Sequence, residues 1–489
     1  MSEIALKNGK APTNETGLGK YKSFIWIAVG IIAAIIIVTL NLGLSTSAQR
    51  LLALFVFVIS LWIGEVMPTG MAALLWAGLV ICIIGTKAIP AATVFSGFSN
   101  STLWLMVGAL LLGEATTQTR LAHRIAYKLM SLGGTSYIRV IMMLWIANMV
   151  LALIVPSGAV KMAIFIPIMM GIAAAYKAEP NSKFTANLMM NVYWSGMASE
   201  ALILTSTNLN LTSVGILQQA TGISISWIGW FLVMLLPSAI MMVGVFLIIN
   251  KLFKPEETFA RSEGGVEGLK EKLEELGPLS SEEIRTAALF TVTVLMWVFE
   301  SVIHIPAAWV AVFAAAILFV PKIGVLNSKA LNSISWNTVL MMGVALGMGS
   351  VMSAVGINTW LSDKLLTPLF EPLAHLGSFG IVLGIGLFAM IMHIVIPSGS
   401  ALTAAAAPLL MSYSVSSGFN PVVVALALPR ACSQLLLFPY QSVPIMVLWG
   451  TNFMDTKKFV KMSVVIVGFL LIWEASMGVF WDWASAFLM

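Results

Sequence analysis

Two matching clusters of small polar residues interrupt long apolar runs of the chain. Pro156-Ser157-Gly158 lies near the middle of a run from 138 to 176, and Pro397-Ser398-Gly399 lies near the middle of one from 376 to 413. Proline removes a backbone donor and glycine relaxes the backbone, so a helix should stop and turn at each cluster. Helices that restart there offer hydroxyls and free N–H groups, which can hold an anion such as a carboxylate. The candidate binding residues at the two turns are Ser157, Gly158, Ala159, Ser398, Gly399 and Ser400.

A second pair of polar interruptions follows the two turns. Residues 205–210 read Thr-Ser-Thr-Asn-Leu-Asn, and the aligned residues 438–444 read Phe-Pro-Tyr-Gln-Ser-Val-Pro. We predict that both segments unwind, because irregular backbone inside a membrane is tolerated only where it lines a cavity or is buried in protein. They add Thr207, Asn208, Ser442 and Pro444 to the candidate substrate-binding residues. The alternative for these segments is structural kinking, and for the two turns it is close helix packing between small residues.

Four ionisable residues lie inside apolar runs, where such residues are costly and by default functional. Lys161 and His393 each lie within a turn or two of a Pro-Ser-Gly cluster, so we expect them to compensate part of the charge of a bound dianion. Arg430 precedes the second polar interruption and could do the same, or could form a structural ion pair. His393 could instead hydrogen-bond a backbone carbonyl, and Glu200 could pair with a cation or carry a proton.

The composition indicates which elements must position these residues. Of the 489 residues, 59% are hydrophobic and only 10% are charged, whereas a soluble domain has about a quarter of its residues charged. Long continuous apolar runs predict an all-α integral membrane protein with about 11 transmembrane helices and two re-entrant hairpins. The lipid bilayer is therefore an expected partner. We attribute the net charge of +5 to orientation in the membrane and not to nucleic acid.

The order of matching motifs predicts an inverted-topology repeat. The motif at Thr102, the first turn and Ser199-Glu200 recur in the same order as Thr338, the second turn and Ser433-Gln434, and transporters are commonly built from two such halves. Positive charges place the N-terminus in the cytoplasm, and the lack of a transit peptide favours a bacterial plasma membrane. The predicted organisation is a cytoplasmic tail 1–22, a first half 23–250 with hairpin 1, a cytoplasmic linker 251–284, and a second half 285–489 with hairpin 2.

Sequence motifs for catalysis are missing. There is no glycine-rich phosphate loop and no pair of metal ligands at a suitable spacing, and the chain has four histidines in all. We therefore expect neither an enzyme nor an ATP-driven pump, and no cofactor or metal. The function classes that remain are a carrier of anions and an anion channel. A receptor is disfavoured, because the longest polar stretch is only about 30 residues long.

Three motifs resemble the divalent anion/sodium symporter family of di- and tricarboxylate transporters. They are Glu65-Val66-Met67-Pro68, Phe98-Ser99-Asn100 and Leu121-Ala122-His123-Arg124-Ile125-Ala126, and the resemblance extends over nearly the whole chain. It implies a homodimer in which a transport domain carries the site across the membrane against a scaffold domain, which is an elevator motion. It also implies small dicarboxylate substrates of the succinate, malate, fumarate and 2-oxoglutarate class.

The two turns depart from the pattern of that family, which typically has Ser-Asn-Thr at each tip. Ser157 and Ser398 are kept, but glycine stands at both asparagine positions. Because the family's tips also frame sodium sites, the loss of amide oxygens points away from sodium. A fixed cation near each tip, unlike sodium, would stay when substrate leaves, and moving an empty site with buried charge is costly. We therefore predict sodium-independent exchange of dicarboxylates, with sodium- or proton-coupled symport and an anion channel as alternatives.

Overall fold

The chain is all-helical in the residues that the structure describes. The computed structural model describes residues 21–252, 254–255 and 267–488, and no strand occurs among them. Most of the predicted N-terminal tail and part of the predicted linker lie outside these residues. The all-helical membrane fold expected from the composition is confirmed.

Six helices of the described residues precede hairpin 1. The first of them buries only Gly30, whose missing side chain lets Ser60 of the second helix approach. Pro68 and Pro90 stand directly before the third and fourth helices, where a missing backbone donor costs nothing. The six helices are α1 (Lys22–Thr39), α2 (Thr46–Ile63), α3 (Thr69–Leu79, continued by a wide turn over Val80–Ile84), α4 (Ala91–Val94), α5 (Ser101–Gln118) and α6 (Leu121–Ser131).

The first half continues with a hairpin and a broken helix. Hairpin 1 consists of α7 (Tyr137–Ile154) and α8 (Gly158–Ala175). The broken helix consists of α9 (Lys183–Leu202) and α10 (Asn208–Thr221), and α11 (Trp227–Leu252) follows it. Every residue of α9 from Phe184 to Leu202 is buried, as expected for a helix that is surrounded by others.

Hydrogen bonds from one arginine of the first half fix the linker and the start of the second half. The linker contains α12 (Glu267–Glu275), and Ser280 and Glu283 form a reciprocal N-terminal cap on α13 (Ser281–Val298). Arg124 of α6 donates to the Glu283 carboxylate at 2.6 Å and to the carbonyls of Leu276 and Gly277. The remaining described helices before hairpin 2 are α14 (Glu300–Ile303), α15 (Ala307–Ile317), α16 (Ala330–Ser333), α17 (Trp336–Ala354), α18 (Ile357–Leu361) and α19 (Thr367–Ala374).

The second half ends with the same elements as the first. Hairpin 2 consists of α20 (Gly377–Val395) and α21 (Gly399–Ser417), and α22 (Pro421–Gln434) and α23 (Val443–Trp449) form a second broken helix before α24 (Thr456–Ala484). Equivalent helices pack reciprocally across the two halves. Helix α5 packs on α15 and α3 packs on α17, while α8 packs on α23 and α10 packs on α21.

Eight described helices are long and apolar enough to cross a membrane. They include α7, α8 and α20, which are arms of the hairpins, and shorter apolar helices occur at Thr69–Ile84 and Ala307–Ile317. The chain is thus a multi-pass membrane protein. The count of about 11 crossings stays a prediction.

Candidate functional site

The tips of both hairpins and both helix breaks enclose one cavity. Its volume is about 450 Å³, which is the size of a small-molecule site. Glu200 and His393 also line it, whereas the fully buried Lys161 and Arg430 lie behind its wall. All ten predicted substrate-binding residues line the cavity: Ser157, Gly158, Ala159, Thr207, Asn208, Ser398, Gly399, Ser400, Ser442 and Pro444.

Glycine is required at each hairpin tip by close approach of the other elements. A Cβ added at Gly158 would lie 2.6 Å from Oε1 of Glu200 and 3.0 Å from the ring of Pro444. A Cβ added at Gly399 would lie 2.7 Å from the carbonyl oxygen of Cys432. The bare backbone at both tips therefore comes into contact with the broken helices.

One hydrogen bond joins the two halves of the site directly. The side-chain amide of Asn208, at the start of α10, donates to Oγ of Ser400 at 2.8 Å. Both residues line the cavity, and Asn208 is from the first half whereas Ser400 is from the second. The first unwound segment and hairpin 2 are thereby held in one wall.

Four helices begin at the cavity. Ser157, Thr207, Ser398 and Ser442 are the N-cap residues of α8, α10, α21 and α23, and all four line the cavity. Each helix N-terminus carries roughly half a positive charge on its free N–H groups. Three of these helices have 14 or more residues, whereas α23 has seven residues and a proline in its first turn. Together the four ends supply a positive potential that suits an anion.

Side-chain donors reach the last carbonyls of both helices that end at a break. In the last turn of α9, Nδ2 of Asn210 donates to the Glu200 carbonyl at 3.0 Å and Nε1 of Trp230 donates to that of Ala201 at 3.1 Å. Nε2 of His393 donates to the Cys432 carbonyl of α22 at 2.9 Å. Because helix C-termini leave carbonyls without partners, these donors reduce the negative potential next to the cavity.

Lys161 forms an ion pair with Glu200 inside the protein. Nζ of Lys161 lies 3.2 Å from Oε1 of Glu200, and the two side chains are 0% and 6% exposed. Glu200 stands between the ammonium and the cavity, since only the carboxylate is part of the cavity wall. Lys161 therefore has a protein counter-ion already, and its expected role in compensating substrate charge remains a prediction.

Arg430 is also fully buried and points to the break between α9 and α10. Its Nη2 donates to Oδ1 of Asn210, and its guanidinium lies 5.9 Å from the ring centre of Trp230. Nε and Nη1 have no hydrogen-bond partner among the described residues. This position differs from the one expected for a residue that touches substrate.

The cavity has further polar walls that the sequence did not single out. Ser335 and Thr338 at the start of α17, Thr205 in the first break, Ser433 at the end of α22 and Gln441 in the second break all line it. The sequence held a signal for four of them: Thr338 matches Thr102, Ser433 matches Ser199, and Thr205 and Gln441 lie in the two predicted unwound segments. Nothing in the sequence marks Ser335.

The cavity indicates the class of protein to which the chain belongs. It lies between two hairpin tips inside a membrane protein, and helix N-termini suited to an anion meet there. Such a cavity at the meeting point of two structural halves is the usual site of a membrane transporter. The chain is accordingly a multi-pass membrane transporter.

Residues 20–487 match the family described as the sodium:sulfate symporter transmembrane region. The chain belongs to this family, which is the divalent anion/sodium symporter family that the sequence motifs resemble. The family consists of transporters, which confirms the expectation that the chain is not an enzyme.

Individual relatives cover most of the chain. A membrane protein of Cupriavidus necator is 29% identical, with 94% of this chain and 92% of that protein covered. Dicarboxylate transporter 1 of Spinacia oleracea chloroplasts is 24% identical, with 90% and 77% covered, and the L-tartrate/succinate antiporter of Escherichia coli is 24% identical, with 79% of each covered. The crystal structure of the Alcanivorax borkumensis YdaH transporter has the same fold, with a TM-score of 0.58 at 14% identity over 87% of this chain and 97% of that one.

Proposed function

We propose that this chain exchanges small dicarboxylates of the succinate, malate, fumarate and 2-oxoglutarate class across the membrane, without sodium. The observation that carries this proposal is the set of four helix N-termini at one cavity, which have Ser157, Thr207, Ser398 and Ser442 at their N-cap positions. Their summed partial charge suits two carboxylates. Relatives named as dicarboxylate transporters and as a tartrate/succinate antiporter support the same substrate class.

Exchange follows from the fixed nature of these charges. When the dianion leaves, the four helix ends remain in the protein, whereas a bound sodium ion would leave with the substrate. Lys161 keeps Glu200 as its counter-ion and adds no unpaired charge. An empty cavity with uncompensated positive potential is costly to carry through a low-dielectric layer. The loaded carrier should therefore return much faster than the empty one.

The transport movement that we propose is an elevator. Both hairpins and the broken helices would form the moving body, together with α11 and α24, and α1–α6 with α13–α19 would form the scaffold. The reciprocal packing of α5 on α15 and α3 on α17 supports an inverted repeat within that scaffold. We further propose a homodimer in a bacterial plasma membrane with a cytoplasmic N-terminus, since several relatives are bacterial membrane proteins.

The test is uptake of radiolabelled succinate into proteoliposomes. The lumen is either empty or preloaded with succinate or 2-oxoglutarate, in sodium or in potassium buffer. We expect uptake only into preloaded vesicles and at equal rates in both buffers. Uptake into empty vesicles that follows a sodium gradient would refute exchange and establish symport.

Proton-coupled symport is a second candidate that one observation favours. Glu200 lines the cavity and pairs with Lys161, so protonation of Glu200 would release the lysine charge toward a dianion. This candidate predicts uptake into empty vesicles under an inward proton gradient, and loss of that uptake in Glu200→Gln. The exchange proposal predicts that the gradient has no effect on empty vesicles.

A further inference from the structure

The break between α9 and α10 is held by polar contacts on its buried side. Nδ2 of Asn210 donates to the carbonyls of Glu200 at 3.0 Å and Ile203 at 3.1 Å, and Oγ of Ser206 donates to the same two carbonyls. These are groups that a continuous helix would have paired with its own next turn. The conformation of residues 203–207 therefore depends on the orientation of the Asn210 amide.

Arg430 fixes that orientation. Its guanidinium has only donors, so the contact from Nη2 requires that Oδ1 of Asn210 faces Arg430. The amide NH2 group must then face the two carbonyls of the break. Arg430 is 0% exposed and lies against Trp230, so packing holds the guanidinium in place.

The segment that this contact holds is a wall of the cavity. Thr205 and Thr207 line the cavity, and so does Glu200 at the end of α9. Arg430 itself does not reach the cavity and is separated from it by the break. Any influence of Arg430 on a bound ligand must pass through Asn210 and the backbone of residues 203–207.

We infer that Arg430 is a positioning residue: from the second half of the chain it sets, through Asn210, the shape of the first unwound segment and thereby the affinity of the site. This inference rests on the proposed dicarboxylate function for its affinity readout. It differs from a charge-compensating role, in which Arg430 would act on the substrate without Asn210.

A double-mutant cycle on Arg430 and Asn210 separates the two roles. The variants are Arg430→Met, Asn210→Leu and the combination, with succinate exchange measured in preloaded proteoliposomes. If Arg430 acts through Asn210, each single variant raises KM for succinate by about 10-fold or more, and the double variant is no worse than the singles. Multiplied effects in the double variant would overturn the inference and support direct action on substrate charge.

A second readout does not depend on which substrate is transported. Amide hydrogen exchange is measured on the wild type, on each variant and on Arg430→Lys. This last variant keeps the positive charge but lacks the planar guanidinium with its fixed donors. We expect exchange in residues 203–209 to speed up several-fold in every variant, with residues 435–442 of the second break unchanged. An unchanged first break, or equal acceleration in both breaks, would overturn the inference.

These outcomes keep the inference separate from the proposed function. If the wild type fails to exchange dicarboxylates, the proposed function fails, and hydrogen exchange still decides the role of Arg430. If Arg430→Met or Asn210→Leu does not yield monodisperse protein, Arg430→Lys and Asn210→Ser replace them in the cycle, with the same expected non-additivity and the same contradicting result.

Discussion

Lys161 illustrates what a residue type and its spacing can and cannot reveal. Its position near a hairpin tip predicted that it acts near the site, and its ion pair with Glu200 does place it next to the cavity. The sequence could not show that the ammonium lies behind the carboxylate, because that depends on how α8 rotates against α9. Gly158 was predicted for its free backbone, and the contact that a Cβ would make with Glu200 gives a second reason for glycine there.

Removing one member of the Lys161–Glu200 pair should destabilise the protein strongly. Glu200→Gln leaves the Lys161 ammonium, which is 0% exposed, without a counter-ion, and an unpaired buried charge costs about 3–5 kcal/mol. The double variant Lys161→Met/Glu200→Gln should recover most of this loss, because no unpaired charge remains. Unfolding of the purified variants in detergent measures both effects, and a double variant less stable than Glu200→Gln would contradict the explanation.

The tip of hairpin 2 should not accept a methyl group. In Gly399→Ala the new Cβ would lie 2.7 Å from the Cys432 carbonyl, so hairpin 2 must move from α22 at a cost of about 1–3 kcal/mol. Exchange activity should fall together with thermal stability. The matched control is Gly468→Ala in α24, where a Cβ meets nothing within 4 Å; it should be neutral or slightly stabilising.

At the scale of elements, the hairpins and the breaks could be predicted closely. The run from 138 to 176 corresponds to helices spanning Tyr137–Ile154 and Gly158–Ala175, since proline and glycine mark the turn locally. The predicted unwound segments 205–210 and 438–444 do contain the breaks, which span 203–207 and 435–442, but each prediction runs two or three residues too far into the following helix. The sequence does not reveal the partners of each break: the donors to the last carbonyls of α9 come from Trp230 and from Asn210, and Asn210 is held by Arg430 from the second half.

The start of α24 gives a pH-dependent prediction. Asp455 caps this helix, and the backbone N–H of Lys458 and the side-chain amide of Asn181 hold the pKa of Asp455 below its ordinary value. Because the pKa of Asp455 is lower in the folded than in the unfolded protein, the ionised carboxylate stabilises the fold fully at pH values above the unfolded-state pKa. This stabilisation is lost as pH falls through the folded-state pKa. Above pH 5, Asp455→Ala should therefore be less stable by about 1 kcal/mol.

The difference between Asp455→Ala and the wild type should begin to shrink as pH falls below about 4 and should disappear below the lowered folded-state pKa of Asp455, where the carboxylate is protonated in both states. Unfolding of the two proteins across this range measures it. Asp363→Ala removes an exposed aspartate outside any cap and serves as the control for the loss of a surface carboxylate. A stability difference for Asp455→Ala that persists unchanged at low pH would argue against the cap.

At the scale of the whole molecule, reciprocal packing supports a two-fold relation between the halves. A two-fold axis that exchanges the halves replaces α3 by α15 and α17 by α5, so the contact of α3 with α17 requires a contact of α15 with α5, and both are present. In the same way, the contact of α8 with α23 corresponds to that of α21 with α10. The order of motifs along the sequence predicted the repeat. It could not predict which helices touch, because contacts between halves depend on the axis and not on the order.

Locking hairpin 2 to the proposed scaffold should stop transport. A Cβ at Gly349 of α17 lies 3.4 Å from Cβ of Pro408 of α21, close to the separation that a disulfide needs. In a Cys82→Ser background, Gly349→Cys/Pro408→Cys should lose exchange when oxidised and regain it when reduced. Each single cysteine variant controls for the oxidant. Full exchange by completely cross-linked protein would exclude movement of hairpin 2 past α17.

The dependence of the first broken helix on the second half also has a consequence for biosynthesis. Arg430, which holds Asn210, is translated 220 residues after it, which takes roughly 10 to 45 s at ordinary elongation rates. During that interval the ribosome-bound nascent chain has already inserted α9 and α10 into the bilayer, with the polar break still lacking its later partners. The first half must therefore wait in the membrane in an immature form, shielded by the insertion machinery or open to quality-control proteases, until α22 arrives.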